Sequence, residues 1–182
     1  MPSNKDRLYI ALYARGGEAR MPGLEDKYHW ALIAGPKVEN ERSQGTRFHG
    51  KETITIVDGR ARSTWIFERR STSMRATTMI LIRVMIGKIV SKERLESVFE
   101  STPVREGDPG WNCVGWVREA LEGLERDGRA LGTSITAWES VRDTAMRYVE
   151  AKKAQHRFDG QGSFDLTQVA TWDMLTDKEL IA

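Results

Sequence analysis

A lone cysteine, Cys113, and three histidines, His29, His49 and His156, are the residues of this 182-residue chain whose types suit nucleophilic and acid–base chemistry near neutral pH. Cys113 lies in the stretch Gly110-Trp111-Asn112-Cys113-Val114-Gly115-Trp116-Val117, directly after the turn residues Asp108-Pro109-Gly110. Beyond it, Val114, Val117, Leu121 and Leu124 recur at the three-and-four spacing of an amphipathic helix. Cys113 is therefore expected within a residue or two of a helix N-terminus. There, free backbone N–H groups and the helix dipole favour the thiolate, the reactive form of the thiol. The competing reading is a small buried apolar residue, the commoner fate of a lone cysteine.

A thiol nucleophile needs an imidazole as base and a third group that fixes the ring and its tautomer. His29 and His49 fall on separate predicted strands, so neighbouring strands can set their rings side by side. They are the candidates for base and orienter. Trp30, Trp111 and Asn112 flank these positions and are the candidate substrate contacts, Trp111 above all because it adjoins the nucleophile. His156 sits among Arg147, Lys152, Lys153 and Arg157 and reads as part of a solvated helix face. His29, His49 and Cys113 also have metal-ligand chemistry. No Cys-x-x-Cys or His-x-x-x-His pair supports such a site, so neither a metal nor another cofactor is expected.

The elements that must position these residues divide by halves. Leu8–Tyr13 and Tyr28–Ala34 read as buried strands, with a loop between them from Glu18 to Lys27. Thr46–His49 starts a strand and Thr53–Val57 is a further one or its continuation. Asp58-Gly59 is a hairpin signal, and the return strand Ser63–Glu68 places Trp65 and Phe67 on one face. Met79–Ile89 is the longest strand candidate. The second half is helical: a helix capped by Ser91 and ended by Ser101-Thr102-Pro103, the Cys113 helix to about Arg126, and a third from Trp138 to about Lys153. Short turns between strands imply antiparallel neighbours, so the class is α+β: an antiparallel β-sheet packed against a few helices.

Composition excludes other classes. Lys and Arg number 28 against 26 Asp and Glu, a formal charge of +2, with no long basic block to hold nucleic acid. No run approaches the length of a membrane span, and the apolar stretch Met79–Ile86 is broken by Arg83. The N-terminus lacks the apolar core of a signal peptide, and one cysteine allows no internal disulfide. Both point to a cytoplasmic protein.

The order His…His…Cys is the reverse of the papain order. With His29-Trp30-Ala31-Leu32, then Phe48-His49, then Asn112-Cys113 opening a helix, the chain resembles the lecithin retinol acyltransferase-like proteins. It is similar, more widely, to the circularly permuted papain-like superfamily of amidases, acyltransferases and peptidases. Its Tyr28–Leu32 motif, its Trp111-Asn112-Cys113-x-x-Trp116-Val117 motif and its Thr171-Trp172-Asp173 tail also resemble those of small fungal proteins. The acyltransferases carry Asn-Cys-Glu-His-Phe where this chain has Asn112-Cys113-Val114-Gly115-Trp116, and a terminal hydrophobic anchor is missing here. The resemblance implies one permuted papain-like domain over residues 1–182, its tail from about 160 docked back on the body. It implies a cysteine-dependent hydrolase or acyltransferase, peptidase- or amidase-like, with Cys113 as nucleophile, His29 as base and His49 as orienter. The substrate would be a small molecule or peptide with an amide, ester or thioester carbonyl. The rival from another class is a catalytically silent binding module on the same fold.

Overall fold

A computed structural model describes residues 4–182 of the chain. The strands are β1 (Arg7–Ala14), β2 (Tyr28–Gly35), β3 (Gln44–Val57), β4 (Arg60–Ser73), β5 (Ile80–Ile89), β6 (Leu131–Ser134), β7 (Ala170–Asp173) and β8 (Lys178–Ile181). The helices are α1 (Lys92–Ser101), α2 (Cys113–Asp127) and α3 (Trp138–Ala154). One sheet runs in the order β4-β3-β2-β1-β5-β7-β8, with β6 also paired to β5. Every pairing is antiparallel except β5 with β7. The expected α+β class therefore holds, with one parallel pair added by the C-terminal segment.

Side-chain alternation along the strands makes two faces. Leu8, Ile10 and Leu12 of β1, Trp30 and Leu32 of β2, Phe48 of β3, and Ile82 and Val84 of β5 share one core with the buried faces of all three helices. Tyr9, Ala11, Tyr13, Ala31, Ile33 and Met85 point the other way, into a smaller cluster with Met74. The helices begin and end on ordinary signals. Ser91 Oγ accepts from the Arg94 N–H at 3.3 Å, and Gly128 closes α2 at φ 65°, a conformation few other residues tolerate.

The β3–β4 hairpin is longer than its sequence pattern suggests. Thr53–Val57 is the continuation of the strand that Thr46–His49 starts: β3 is one strand of 14 residues, in unbroken register with β4 from Gln44↔Ser73 to Val57↔Arg60. Asp58 (φ 51°) and Gly59 (φ 72°) form the left-handed turn that matches the twist of such a ribbon. β2, by contrast, pairs with β3 only from Leu32↔Phe48 to Ala34↔Thr46. Toward His29 the two strands part. α2 packs against β3 here, and a Cβ on Gly50 would come within 3.2 Å of the Trp116 Cβ. No helix among the described residues is long and apolar enough to cross a membrane.

Candidate functional site

Cys113 is the first residue of α2, as its spacing predicts. Gly110, at φ 83°, turns the chain before the helix. Asn112 is the N-cap: its side-chain carbonyl accepts from the Val114 N–H at 2.9 Å and the Gly115 N–H at 3.4 Å. The Cys113 N–H is left facing its own sulfur. The thiol is 0 % exposed. Burial pushes its pKa up from the ordinary value, against the pull of the Trp30 N–H, the Arg15 charge and the Val114 and Cys113 N–H groups. The helix terminus favours the thiolate as expected, but desolvation outweighs it and the resting group is a thiol. The Trp30 N–H that faces the sulfur belongs to the peptide bond joining His29 to Trp30, where β2 no longer has β3 beside it.

The two histidines meet. His29 Nε2 lies 2.6 Å from His49 Nδ1, and His49 Nε2 lies 2.9 Å from Glu68 Oε1. Both rings alternate away from Trp30 and Phe48, onto the side of the sheet that holds Tyr13, whose ring centroid is 6.0 Å from that of His29. Burial alone would raise the pKa of Glu68, but hydrogen bonds from His49 and Lys51 bring it down to about 2, so it is a carboxylate at neutral pH. The proton positions then follow. The carboxylate can only accept, so His49 carries its proton on Nε2 and presents a bare Nδ1. His29 must therefore donate from Nε2, which leaves its Nδ1 as the free acceptor. Burial, with the neighbouring His49, Arg15 and Arg47, pushes the pKa of His29 down to about 3. Burial likewise lowers that of His49. Both rings are neutral at pH 7. Among the described residues, the thiol makes no hydrogen bond to either imidazole.

Glu68 is the member of this chain that reasoning from motifs missed. Its signal was present in the hairpin. A two-residue loop at Asp58-Gly59 fixes the register, and counting back from Val57↔Arg60 sets Glu68 opposite His49.

A cleft of about 570 Å³ opens at the start of α2, lined among others by Arg15, Met21, Asp26, Trp65, Trp111 and Asn112. Cys113 lies beneath its floor and not on its surface. Met21 packs across that floor, its sulfur 3.6 Å from Asn112 Nδ2. The loop that carries Met21 is tied down by the Asp26 carboxylate, which accepts from the Arg20 and Met21 N–H groups at 2.8 and 3.1 Å. Arg15 reaches the Asp26 carbonyl at 3.4 Å, and its charge acts on both His29 and Cys113. Of the candidate substrate contacts, Trp111 stands edge-on to Trp65 at 5.5 Å in the cleft wall, over Gly115. Asn112 presents its amide nitrogen to Met21. Trp30 is fully buried beside Trp138, its indole N–H donating to the Glu25 carbonyl at 2.8 Å.

Among the described residues, no group of three or more His, Cys, Asp or Glu side chains is placed to hold a metal ion. The pattern of a family of unknown function, DUF6914, matches residues 5–181. No curated protein and no solved structure matches the chain.

Proposed function

We propose that this chain, which belongs to the DUF6914 family, is a cysteine-dependent hydrolase or acyltransferase of permuted papain-like architecture, with Cys113 as nucleophile. The observation that supports the reading is the relay Glu68–His49–His29, which ends on the residue whose peptide bond to Trp30 turns its N–H to the Cys113 sulfur. A buried imidazole held neutral and oriented by two further groups is what thiol activation requires. In a structural role, an ion pair between Glu68 and Lys51 would serve without two buried rings.

The steps follow from the proton positions. The carbonyl carbon of an amide, ester or thioester is attacked by Sγ as the thiol proton passes to His29 Nδ1, for which the His29 ring must come round from the Tyr13 side of the sheet at the end of β2 that β3 leaves unpaired. The resulting imidazolium is stabilised through His49 by the Glu68 carboxylate. The Cys113 N–H, left free by the Asn112 cap, donates to the developing oxyanion. Collapse expels the leaving group, which takes the proton from His29, and leaves an acyl group on sulfur. Water, or an amine or alcohol, then attacks the acyl carbon while His29 withdraws its proton, and Cys113 is restored. Because both partners rest neutral, proton transfer accompanies attack and no standing thiolate–imidazolium pair precedes it. Substrate enters through the cleft at Asn112, and Met21 must swing aside for it to reach the sulfur.

The test is turnover of activated esters and acyl amides by the purified chain, with the adduct located by mass spectrometry. The reading predicts an acyl adduct on Cys113 that is absent from Cys113→Ser. A second reading, a silent binding module, is favoured by the complete burial of the thiol. It predicts ligand binding in the cleft with no adduct on Cys113 under any condition that keeps the chain folded.

A further inference from the structure

A second cavity, of about 360 Å³, shares Arg15 with the cleft at the start of α2. Arg15 Nη1 donates to the Asp26 carbonyl at 3.4 Å, a strut whose Asp26 end lines the cleft while the next residues, Lys27 and Tyr28, line the second cavity. The Arg15 side chain lines both spaces, so a ligand that spans the strut touches both at once. The cavity has the size of a small-molecule site. Ala14, Tyr28, Leu81 and Phe158 give it apolar walls, and Arg15, Lys27 and Lys153 give it cations.

The charge balance in this cavity is not neutral. Asp159 is its one acidic lining residue. Both of its carboxylate oxygens are engaged, one by His156 Nδ1 at 2.6 Å and the other by the Gln161 N–H at 3.0 Å. Glu150, just outside, takes up Lys27 at 3.4 Å and the Tyr28 hydroxyl at 2.5 Å. Arg15 has its nearest carboxylate, Glu52, at 3.9 Å on the cleft side. Lys153 makes no salt bridge among the described residues. Three cations, Arg15, Lys27 and Lys153, thus line the hollow against the single carboxylate of Asp159. In such a setting an anion gains from the excess of positive charge, while an apolar body covers Leu81 and Phe158.

We propose that this cavity holds the remote end of the substrate, and that this end is an amphipathic anion: an apolar chain or ring ending in a carboxylate or phosphate. The apolar part lies against Tyr28, Leu81 and Phe158, and the anionic group sits between Arg15 and Lys153. The scissile carbonyl then lies across the strut, over Asn112 and Cys113. Only this last placement rests on the thiol-enzyme reading; the anion site itself does not.

Binding is measured on the full chain carrying Cys113→Ala, so that no chemistry is needed. The probes are 4-phenylbutyrate, phenyl phosphate and the neutral 4-phenylbutyramide, followed by calorimetry and by amide NMR shifts. At least one of the two anions should bind, with shifts centred on Lys27, Tyr28, Leu81 and Phe158. 4-Phenylbutyramide should bind at least tenfold more weakly than 4-phenylbutyrate. Which anion is preferred separates a carboxylate from a phosphate as the natural group. Lys153→Glu should weaken the anion at least tenfold and Lys153→Arg should restore it. Equal binding of acid and amide, shifts centred elsewhere, no binding of either anion, or an anion affinity unchanged in Lys153→Glu would each overturn the proposal. Failure of the thiol-enzyme reading is distinguishable from all of these: it shows as a missing adduct on wild-type Cys113, while the Cys113→Ala chain still binds the anion.

Discussion

Lowering the pH from 7 to 5 should destabilise this protein through His29. Burial and neighbouring charge bring its pKa from 6.5 down to about 3 in the folded chain. Between those values the unfolded chain binds the proton and the folded chain does not. Stability therefore falls as pH falls through this window. At pH 5 the unfolded imidazole is almost wholly protonated and the folded one almost wholly neutral, a population ratio of about 30, which is worth about 2 kcal/mol. His49 is shifted in the same direction and adds to the loss. Glu68, lowered to about 2, stabilises the fold above its unfolded value of 4.5 and loses that contribution only as pH falls below it, outside the window. The assay is urea unfolding followed by tryptophan fluorescence at pH 7 and pH 5. Wild type should lose at least about 2 kcal/mol on acidification, His49→Gln should keep the part due to His29, and His29→Gln should lose about 2 kcal/mol less than wild type. An equal loss in wild type and His29→Gln would show that the His29 ring titrates normally, and the tautomer chain derived from Glu68 would fall with it.

Iodoacetamide should alkylate Cys113 more slowly than free cysteine at neutral pH, because the thiol is covered and its pKa is raised. Met21→Ala should speed this alkylation roughly tenfold by clearing the cleft floor, a factor equal to about 1.4 kcal/mol in the opening equilibrium; an unchanged rate would remove Met21 from the entry path. Trp116 is fully buried between Phe67 and Phe99, with an indole N–H that has no partner among the described residues. Thermal or urea unfolding should show that Trp116→Ala costs about 3–5 kcal/mol and Trp116→Phe far less, since the smaller ring removes an unsatisfied donor along with some contact. Glu68→Gln should reduce the rate of Cys113 acylation by roughly tenfold or more while leaving secondary structure unchanged, because an amide can present either a donor or an acceptor to His49 and no longer fixes the tautomers.

Period and punctuation made much of the fold legible. The apolar runs Leu8–Tyr13 and Tyr28–Ala34, the spacing after Cys113, and the Ser91 cap all sit where the chain forms those elements. β6 was not legible, because Leu131-Gly132-Thr133-Ser134 has little β-propensity and exists as a strand through its pairing with β5. Whether β3 runs on from His49 to Val57 is open in the sequence for a related reason. Its outer half is a two-stranded arm with Ile54 and Ile56 exposed, so burial does not impose a clean pattern there. At the site, residue types marked His29, His49 and Cys113, but the thiol's state depends on burial, which no motif encodes. Arg15 and Met21 could not be singled out either, since their roles come from a loop folding back over the α2 terminus.

The central claim is that Cys113 carries the acyl group and His29 takes its proton. Intact-mass kinetics with p-nitrophenyl acetate test it most directly, comparing wild type, Cys113→Ser and His29→Ala. The expected result is a single acetyl adduct, mapped to Cys113, that forms in wild type, is absent in Cys113→Ser, and forms roughly ten- to a thousand-fold more slowly in His29→Ala. Equal rates of Cys113 acetylation in wild type and His29→Ala, or no adduct on Cys113 in the folded wild-type chain, would contradict it.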